Sequence, residues 1–217
     1  LAQGLRLAIL NEYSRASDII IEVLDKNQKN AEAIYLLKEV SSLSLEYYKA
    51  GIEAGTIIES EKLDYAWALF RLEKVDEVLE VLGMIDADDS IFYGYNNLYG
   101  RCYSIKEEDE KAAPYLAKWV EMMKDLIRRR DSGEELSHKD SERIGRAAFC
   151  YYMYADNLKK MDRLDESEEL YREAIAFVHD YGNDLNEELY YMENYGKLLY
   201  SRQKYQEAME VWNKNAK

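Results

Sequence analysis

The residues that most often catalyse reactions or bind metals are few in this sequence and poorly spaced for either task. Its only two histidines, His138 and His179, lie outside any HExxH pattern and have no cysteine at zinc-ligand spacing. Neither a GxxxxGK phosphate loop nor a GxGxxG dinucleotide pattern occurs. Carboxylates are frequent, but none lies in an otherwise apolar run suited to acid–base catalysis. We therefore expect no catalytic residue, no metal site, no cofactor and no enzymatic activity.

The sequence contains a repeating pair of predicted helices, and these helices position the other side chains. Residues 151–175, YYMYADNLKKMDRLDESEELYREAI, align with residues 191–216, YMENYGKLLYSRQKYQEAMEVWNKNA. Each stretch has a small residue on its first helix, a polar turn, then a small residue and an aromatic on its second helix. Small residues let two helix backbones approach closely, and large residues fill the space beside them. The matched pairs are Tyr154-Ala155 with Tyr195-Gly196, Leu158 with Leu199, Leu164 with Tyr205, Ser167 with Ala208, and Tyr171 with Trp212.

This pattern resembles the tetratricopeptide repeat, a helix-turn-helix unit that stacks into solenoids. Three earlier stretches match it around Gly4, Ala66 and Gly100, and the spacing from Ala66 to Gly100 is the family period of 34 residues. The single proline, Pro114, does not close a repeat as the family's proline usually does. Further matching residues are Leu7, Tyr13, Ala16, Ile20, Tyr65, Leu69, Val75, Val78, Leu82, Tyr99, Tyr103, Ala112, Leu116, Tyr151, Ala174 and Met192.

The resemblance implies an all-α fold, a right-handed α-solenoid of about five helix pairs. We expect one repeat domain over residues 1–217, with an irregular part at 28–58 and an insertion at 131–141. The irregular part has room for one helix pair. Residues 30–55 have a helical pattern, in which the predicted apolar stripe is Ile34, Leu37, Val40, Leu43 and Tyr47-Tyr48. Because Leu1 lies inside a repeat, we also expect the chain to be a fragment of a longer protein.

The charge of the chain narrows the range of partners. Its 29 basic and 43 acidic residues give a formal net charge of −14. Such a field disfavours nucleic acid and anionic membrane surfaces, and it favours basic proteins or peptides. No apolar run approaches 18 residues, so we expect no membrane span. Two cysteines without a disulfide framework indicate buried reduced thiols, and we expect a cytoplasmic location, with upstream targeting signals left open.

The resemblance implies a partner-binding surface on the inner wall formed by the first helix of each repeat. The function it implies is a protein- or peptide-binding scaffold. Two alternatives stay open: a structural spacer or self-association module, and a regulatory or substrate-recruiting arm of a larger enzyme or co-chaperone. The family's clamp for C-terminal carboxylates is absent or degraded at the matching positions. The predicted partner-binding residues are Asp64, Trp67, Arg71, Asn97, Arg101, Tyr152, Asp156, Lys159, Glu193, Asn194 and Lys197.

Overall fold

The structure is a computed structural model that describes residues 1–86, 92–181 and 185–214. These ranges contain twelve α-helices and no strand. The helices are α1 (Ala2–Ile9), α2 (Tyr13–Lys26), α3 (Ala31–Ala54), α4 (Glu59–Arg71), α5 (Val75–Leu82), α6 (Phe92–Ile105), α7 (Asp109–Asp131), α8 (His138–Ile144), α9 (Ala147–Lys160), α10 (Leu164–Tyr181), α11 (Leu185–Ser201) and α12 (Tyr205–Lys214). The all-α prediction is confirmed.

Five short turns join helices into the predicted pairs α1/α2, α4/α5, α6/α7, α9/α10 and α11/α12. Each turn places one non-glycine residue in the left-handed region, seven positions after the small residue of its first helix. The backbone amide of the next residue donates a hydrogen bond to the carbonyl five residues earlier, for example from Arg163 to Leu158. This bond ends the first helix as in a Schellman motif. The five left-handed residues are Asn11, Glu73, Glu107, Asp162 and Gln203. This common turn confirms the register in which the five repeats were aligned.

The irregular part is a single long helix, α3, rather than a helix pair. The side chain of Asn30 accepts a hydrogen bond from the Ala33 amide at 3.0 Å and so caps its start. At its end, Gly55 has φ of 64°, a conformation that glycine adopts without strain. One turn earlier, a Cβ at Gly51 would overlap the side chain of Ile57, so this position requires glycine.

The buried face of α3 differs from the predicted stripe. Because α3 packs against both α2 and α4, it turns small and polar residues inward, where close helix approach is needed. In contrast, Ile34, Leu43 and Tyr47 are 42%, 60% and 41% exposed, so the predicted stripe was wrong at these positions. The buried residues of α3 are Ala33, Leu36, Val40, Ser41, Ser44, Tyr48 and Gly51.

The helices divide into two compact units, unit 1 (Leu1–Cys102) and unit 2 (Tyr103–Lys217), with the boundary inside α6. In unit 2, α9 packs against α7 and α10, and α11 packs against α10 and α12. The short helix α8 begins inside the predicted insertion and ends three residues after it. The prediction of one domain over residues 1–217 stays a prediction. Within the described ranges, we find no helix with the length and apolar character that crossing a membrane requires.

Close helix approaches in unit 2 occur at the small residues that the alignment identified. A Cβ at Gly196 would overlap the indole ring of Trp212, so α11 and α12 touch at this point. The hydroxyl of Ser167 donates to the carbonyl oxygen of Ala155 at 2.7 Å, and both residues are fully buried. This bond holds α10 against α9 without leaving the serine unsatisfied.

Candidate functional site

Five tyrosines from α9, α10 and α11 form a contiguous tyrosine cluster in unit 2. Its members are Tyr152, Tyr171, Tyr190, Tyr191 and Tyr195. The ring of Tyr152 stacks on Tyr191 with centroids 4.8 Å apart, and the hydroxyls of Tyr152 and Tyr190 are 2.9 Å apart. Such ring pairs add to the stability gained from burial alone, so the cluster is a rigid element of this unit.

Burial separates one member of the cluster from the other four. Tyr190 is 51% exposed, whereas the other four are at most 9% exposed. Burial raises the pKa of Tyr152, Tyr171 and Tyr191 well above that of a free phenol, so their hydroxyls stay protonated as hydrogen-bond donors. Tyr190 therefore presents an aromatic face to solvent on a fixed support.

An ion pair lies at the edge of the tyrosine cluster. The ammonium of Lys159 donates to Asp156 Oδ1 at 2.6 Å and to the hydroxyl of Tyr171 at 3.3 Å. Burial alone would raise the pKa of Asp156, but the hydrogen bonds and charges of Lys159 and Lys160 together outweigh burial and lower that pKa, so the carboxylate is ionised. Tyr152, Asp156 and Lys159, all predicted to bind a partner, are thus brought to one place.

A buried carboxylate connects the tyrosine cluster to the last helix pair. Glu168, 4% exposed, accepts hydrogen bonds from Arg172, Arg202 and Lys204. Arg172 also donates to the hydroxyl of Tyr195 at 2.6 Å. The network therefore ties α10 to α11 and to the turn before α12, and it helps to hold the cluster in place.

The predicted residues on α11 lie close to Tyr190 in sequence and structure. Glu193 and Lys197 are exposed and pair with each other at 2.6 Å. The amide of Asn194 donates to the backbone carbonyl of Tyr190 at 2.9 Å. Sequence reasoning missed Tyr190 itself. The adjacent tyrosine pair Tyr190-Tyr191 is a weak signal for it, because neighbouring helical residues point in different directions. Such a pair does not decide exposure by itself, since the adjacent Tyr151 and Tyr152 are both buried.

The predicted partner-binding residues of unit 1 lie in two separate regions of that unit. The guanidinium of Arg101 lies 4.4 Å from the ring centroid of Phe70 and 6.0 Å from that of Trp67, a cation–π arrangement. Asn97 is only 5% exposed, and its Oδ1 has no hydrogen-bond partner among the described residues. Asn97 is therefore placed in the interior, and Arg101 is engaged with aromatic rings.

Asp64 and Arg71 line a second place in unit 1, the polar pocket between α2, α3 and α4. It also contains residues that sequence reasoning missed, because α2 and α3 contribute them. The lining residues are Tyr13, Ser14, Ser17, Asp18, Ser44, Tyr48, Asp64, Ala68 and Arg71. The sequence signal for two of them is in α3, where Ser44 and Tyr48 are four residues apart and so lie on one face of the helix. We find no group of side chains suited to bind a metal ion in the part of the chain that the structure describes.

Comparison with known proteins identifies the fold. No family model and no curated protein matches the sequence. Among solved structures, the chain is similar to the nearly identical TPR-like repeats of a protein from Podosopora anserina, with 15% identity, a TM-score of 0.55, and coverage of 96% of this chain and 94% of that chain. It is also similar to MamA, from residue 41 to its end, of Desulfovibrio magneticus RS-1, with 12% identity, a TM-score of 0.54, and coverage of 92% and 93%. The chain thus has a tetratricopeptide-repeat fold, as predicted.

Proposed function

We propose that this chain is a protein-binding scaffold and that unit 2 binds a peptide segment at Tyr190 on the tyrosine cluster. The exposed ring of Tyr190 on four buried tyrosines is the observation that carries the proposal. Tyrosine is enriched among the residues that dominate protein interfaces, because its ring has a wide apolar face and a polar tip. The helical-repeat fold supports the same general role, since such scaffolds are typical of protein–protein interaction.

The rigidity of the tyrosine cluster favours binding. A partner that docks on Tyr190 does not have to order it, because Tyr152 and Tyr191 already contact its ring. Binding then carries mainly the ordering cost of the partner. The nearby polar groups Asp156 and Lys159 are fixed by their own ion pair, so they can direct a ligand without being rearranged.

The chemistry of the surroundings favours a basic peptide that also carries an apolar side chain. Glu187 and Glu193 lie three residues before and after Tyr190 on α11, hence on the same side of the helix. The chain as a whole has a net charge of −14. Glu193 already pairs with Lys197, and Glu187 accepts from the hydroxyl of Tyr191, so the preference rests on the net charge and the aromatic face. A lysine or arginine beside an aromatic or aliphatic residue would match both.

The test is a selection of peptides by display on the immobilised chain, followed by affinity measurement of the enriched peptides. Tyr190→Ala should weaken their binding about tenfold or more, the loss expected of a central contact residue. Tyr35→Ala is the matched control, because Tyr35 is 61% exposed on α3 in unit 1. The control should change affinity less than about twofold.

Thermal unfolding of both variants separates loss of contact from loss of fold. Tyr190 is half exposed, so its truncation should leave the melting temperature close to that of the unmodified chain. Tyr152→Ala is not a suitable test, because Tyr152 is buried within the cluster and its removal would destabilise unit 2. Enriched peptides that bind equally well to Tyr190→Ala would refute this site.

Self-association is the second candidate function, and an exposed aromatic face on α11 and α12 favours it. Tyr200, Tyr205 and Met209 are 58%, 52% and 60% exposed, and the rings of Tyr200 and Tyr205 are 5.1 Å apart. Sedimentation at increasing concentration should show a mass that rises if this face joins two copies. Met209→Lys would abolish that rise, whereas a constant monomer mass would exclude this candidate.

A further inference from the structure

Consecutive helix pairs in unit 2 contact each other through the second helix of one pair and the first helix of the next. Helix α7 packs against α9, and α10 packs against α11. By the same rule, α12 has a side on which a following pair would pack, and α1 has a side on which a preceding pair would pack. The exposed side chains on these sides form the α12 edge, which is Tyr205 and Met209, and the α1 edge, which is Arg6 and Leu10.

The position of Met209 is buried in the two preceding repeats of unit 2. It follows directly after the small residue of the second helix, and Ala113 on α7 and Glu168 on α10 have the same position. Both are buried, and Glu168 is covered by hydrogen bonds from Arg202 and Lys204 of the next pair. The exposed Met209 therefore lies where a following helix pair would pack.

The position of Arg6 is likewise buried in the later repeats of unit 2. Arg6 lies two residues after the small residue Gly4, and the matching residues are Asn157 on α9 and Leu198 on α11. Both are at most 2% exposed. The side-chain amide of Asn157 donates to the backbone carbonyl of Asp109, on the preceding pair, at 3.0 Å. This position therefore faces the preceding pair.

The chemistry of the two edges is matched at a first contact. An ion pair between Glu168 and Arg202 joins two consecutive helix pairs of unit 2. In the repeat alignment, Met209 takes the place of Glu168 on the last pair, and Leu10 takes the place of Arg202 on the first. Both partners have thus changed from charged to apolar. A change in only one of them would leave a charge against an apolar side chain, which costs free energy.

A second contact between helix pairs gives the partners of the remaining edge residues. In the alignment, Arg6 takes the place of Asn157, and Tyr205 takes the place of its acceptor Asp109. Arginine and tyrosine also suit each other, because a guanidinium is attracted to the face of an aromatic ring. The same two positions that form a hydrogen bond inside unit 2 therefore carry a cation and a ring at the edges.

Charge favours the pairing of unlike edges. Arg6 is the only charged residue of α1, whereas the exposed carboxylates of Glu207 and Glu210 lie on α12. Glu207 lies 3.7 Å from Arg172, and we find no ion pair for Arg6 or Glu210 within the described ranges. Two copies of the α12 edge would bring carboxylates together, whereas an α12 edge and an α1 edge bring opposite charges together.

We propose that copies of this chain associate head to tail, with the α12 edge of one copy against the α1 edge of the next. Met209 contacts Leu10, and the ring of Tyr205 lies against the guanidinium of Arg6. Such a contact is heterologous, so copies add in one direction unless a ring closes. The proposal rests on self-association, the second candidate function, and identifies the surface that receives the exposed face of α12.

The experiment is sedimentation of exchanged-charge variants over a series of concentrations. Leu10→Arg and Met209→Glu, each alone, should weaken association at least about tenfold, because each leaves a charge against an apolar side chain. An equal mixture of the two variants should restore association. In that mixture the introduced guanidinium meets the introduced carboxylate, as in the ion pair of unit 2, and the unchanged Leu10 of one variant meets the unchanged Met209 of the other.

Leu43→Arg is the matched control, because Leu43 is 60% exposed on α3 and Leu10 is 59% exposed. It should leave association unchanged, and all three variants should keep the melting temperature of the unmodified chain, since the replaced side chains are exposed.

Two results would overturn the head-to-tail contact while self-association stands. One is a Leu10→Arg variant that associates as strongly as the unmodified chain, and the other is a mixture that fails to recover. A constant monomer mass of the unmodified chain would overturn both proposals and would leave a different polypeptide as the occupant of the two edges.

Discussion

Units 1 and 2 differ in the hydrogen bonding of the polar groups that lie between their helices. In unit 2, the buried Ser167 donates to Ala155, and the buried Glu168 accepts from three cations. In unit 1, the hydroxyls of Ser17 and Tyr48 line a cavity, and no partner for them lies in the described part of the chain. A polar group with a protein partner stabilises one helix arrangement, whereas a hydroxyl that lines an open cavity can be satisfied by water. Unit 2 therefore uses its interior polar groups for packing, whereas unit 1 leaves these hydroxyls at the wall of an open cavity.

The largest effect should come from the carboxylate of unit 2. Glu168→Ala leaves Arg172, Arg202 and Lys204 without their shared acceptor and should lower the free energy of unfolding by about 2–3 kcal/mol. The three cations can move partly into solvent, which keeps the loss below that of a fully buried pair. Urea unfolding measures the change.

A surface pair of unit 1 is the matched control for that experiment. Glu77 pairs with Lys74, and both side chains are 41% exposed, so Glu77→Ala should change the stability by no more than about 0.5 kcal/mol. Equal losses in the two variants would contradict the role assigned to Glu168.

Close helix packing should matter more at Gly196 in unit 2 than at Gly94 in unit 1. Gly196→Ala would place a methyl group into the indole of Trp212 and should cost about 1–3 kcal/mol. Gly94→Ala would meet the flexible end of Leu63 at 2.9 Å and should cost less, about 1 kcal/mol or below. Thermal unfolding of both variants tests the ranking. Replacing Trp212 by leucine should relieve the strain of Gly196→Ala, and the absence of such relief would show that the indole is not its cause.

The two interior serines offer the most direct comparison. Ser167→Ala removes a buried hydrogen bond and leaves the carbonyl of Ala155 without that donor, so it should destabilise unit 2 by about 1 kcal/mol. Ser17→Ala removes no hydrogen bond that the described residues form and should be close to neutral, within about 0.5 kcal/mol. The free energies of unfolding of both variants, measured under the same conditions, test this difference. A Ser17→Ala loss equal to that of Ser167→Ala would mean that the Ser17 hydroxyl stabilises the fold.

The smallest expected effect concerns a feature that the two units share. Glu73 in unit 1 and Asp162 in unit 2 have φ of 62° and 59°, a region that is strained for most residues but not for glycine. Replacement by glycine should stabilise each turn by roughly 0.5 kcal/mol, since the greater freedom of glycine in the unfolded chain offsets part of the gain. The gain should be larger at Glu73, because aspartate tolerates this region better than glutamate. Denaturant midpoints would reveal it, and a loss of stability at either site would contradict the assigned turn conformation.

Sequence spacing determined the helix pairs and their register. Around Ala155 and Gly196, the distance from the small residue to the large one and to the turn is a local property of the chain. Each turn therefore falls where the alignment places it, down to the left-handed residues Asp162 and Gln203. Backbone hydrogen bonds within each turn enforce this register, and they need no distant contact.

Packing between helices decided which face of each helix is buried, which the sequence alone could not determine. The long helix α3 carries apolar residues on more than one face, and only its contacts with α2 and α4 determine that Ser44 and Tyr48 are buried while Leu43 and Tyr47 are exposed. The neighbours α9 and α10 likewise decide that Tyr191 is buried and Tyr190 is exposed. Local periodicity specifies a helix and its apolar residues, but which face becomes interior depends on the helices that cover it. The proposed binding site at Tyr190 arises from that second step, because its tyrosine cluster is built by side chains from three helices.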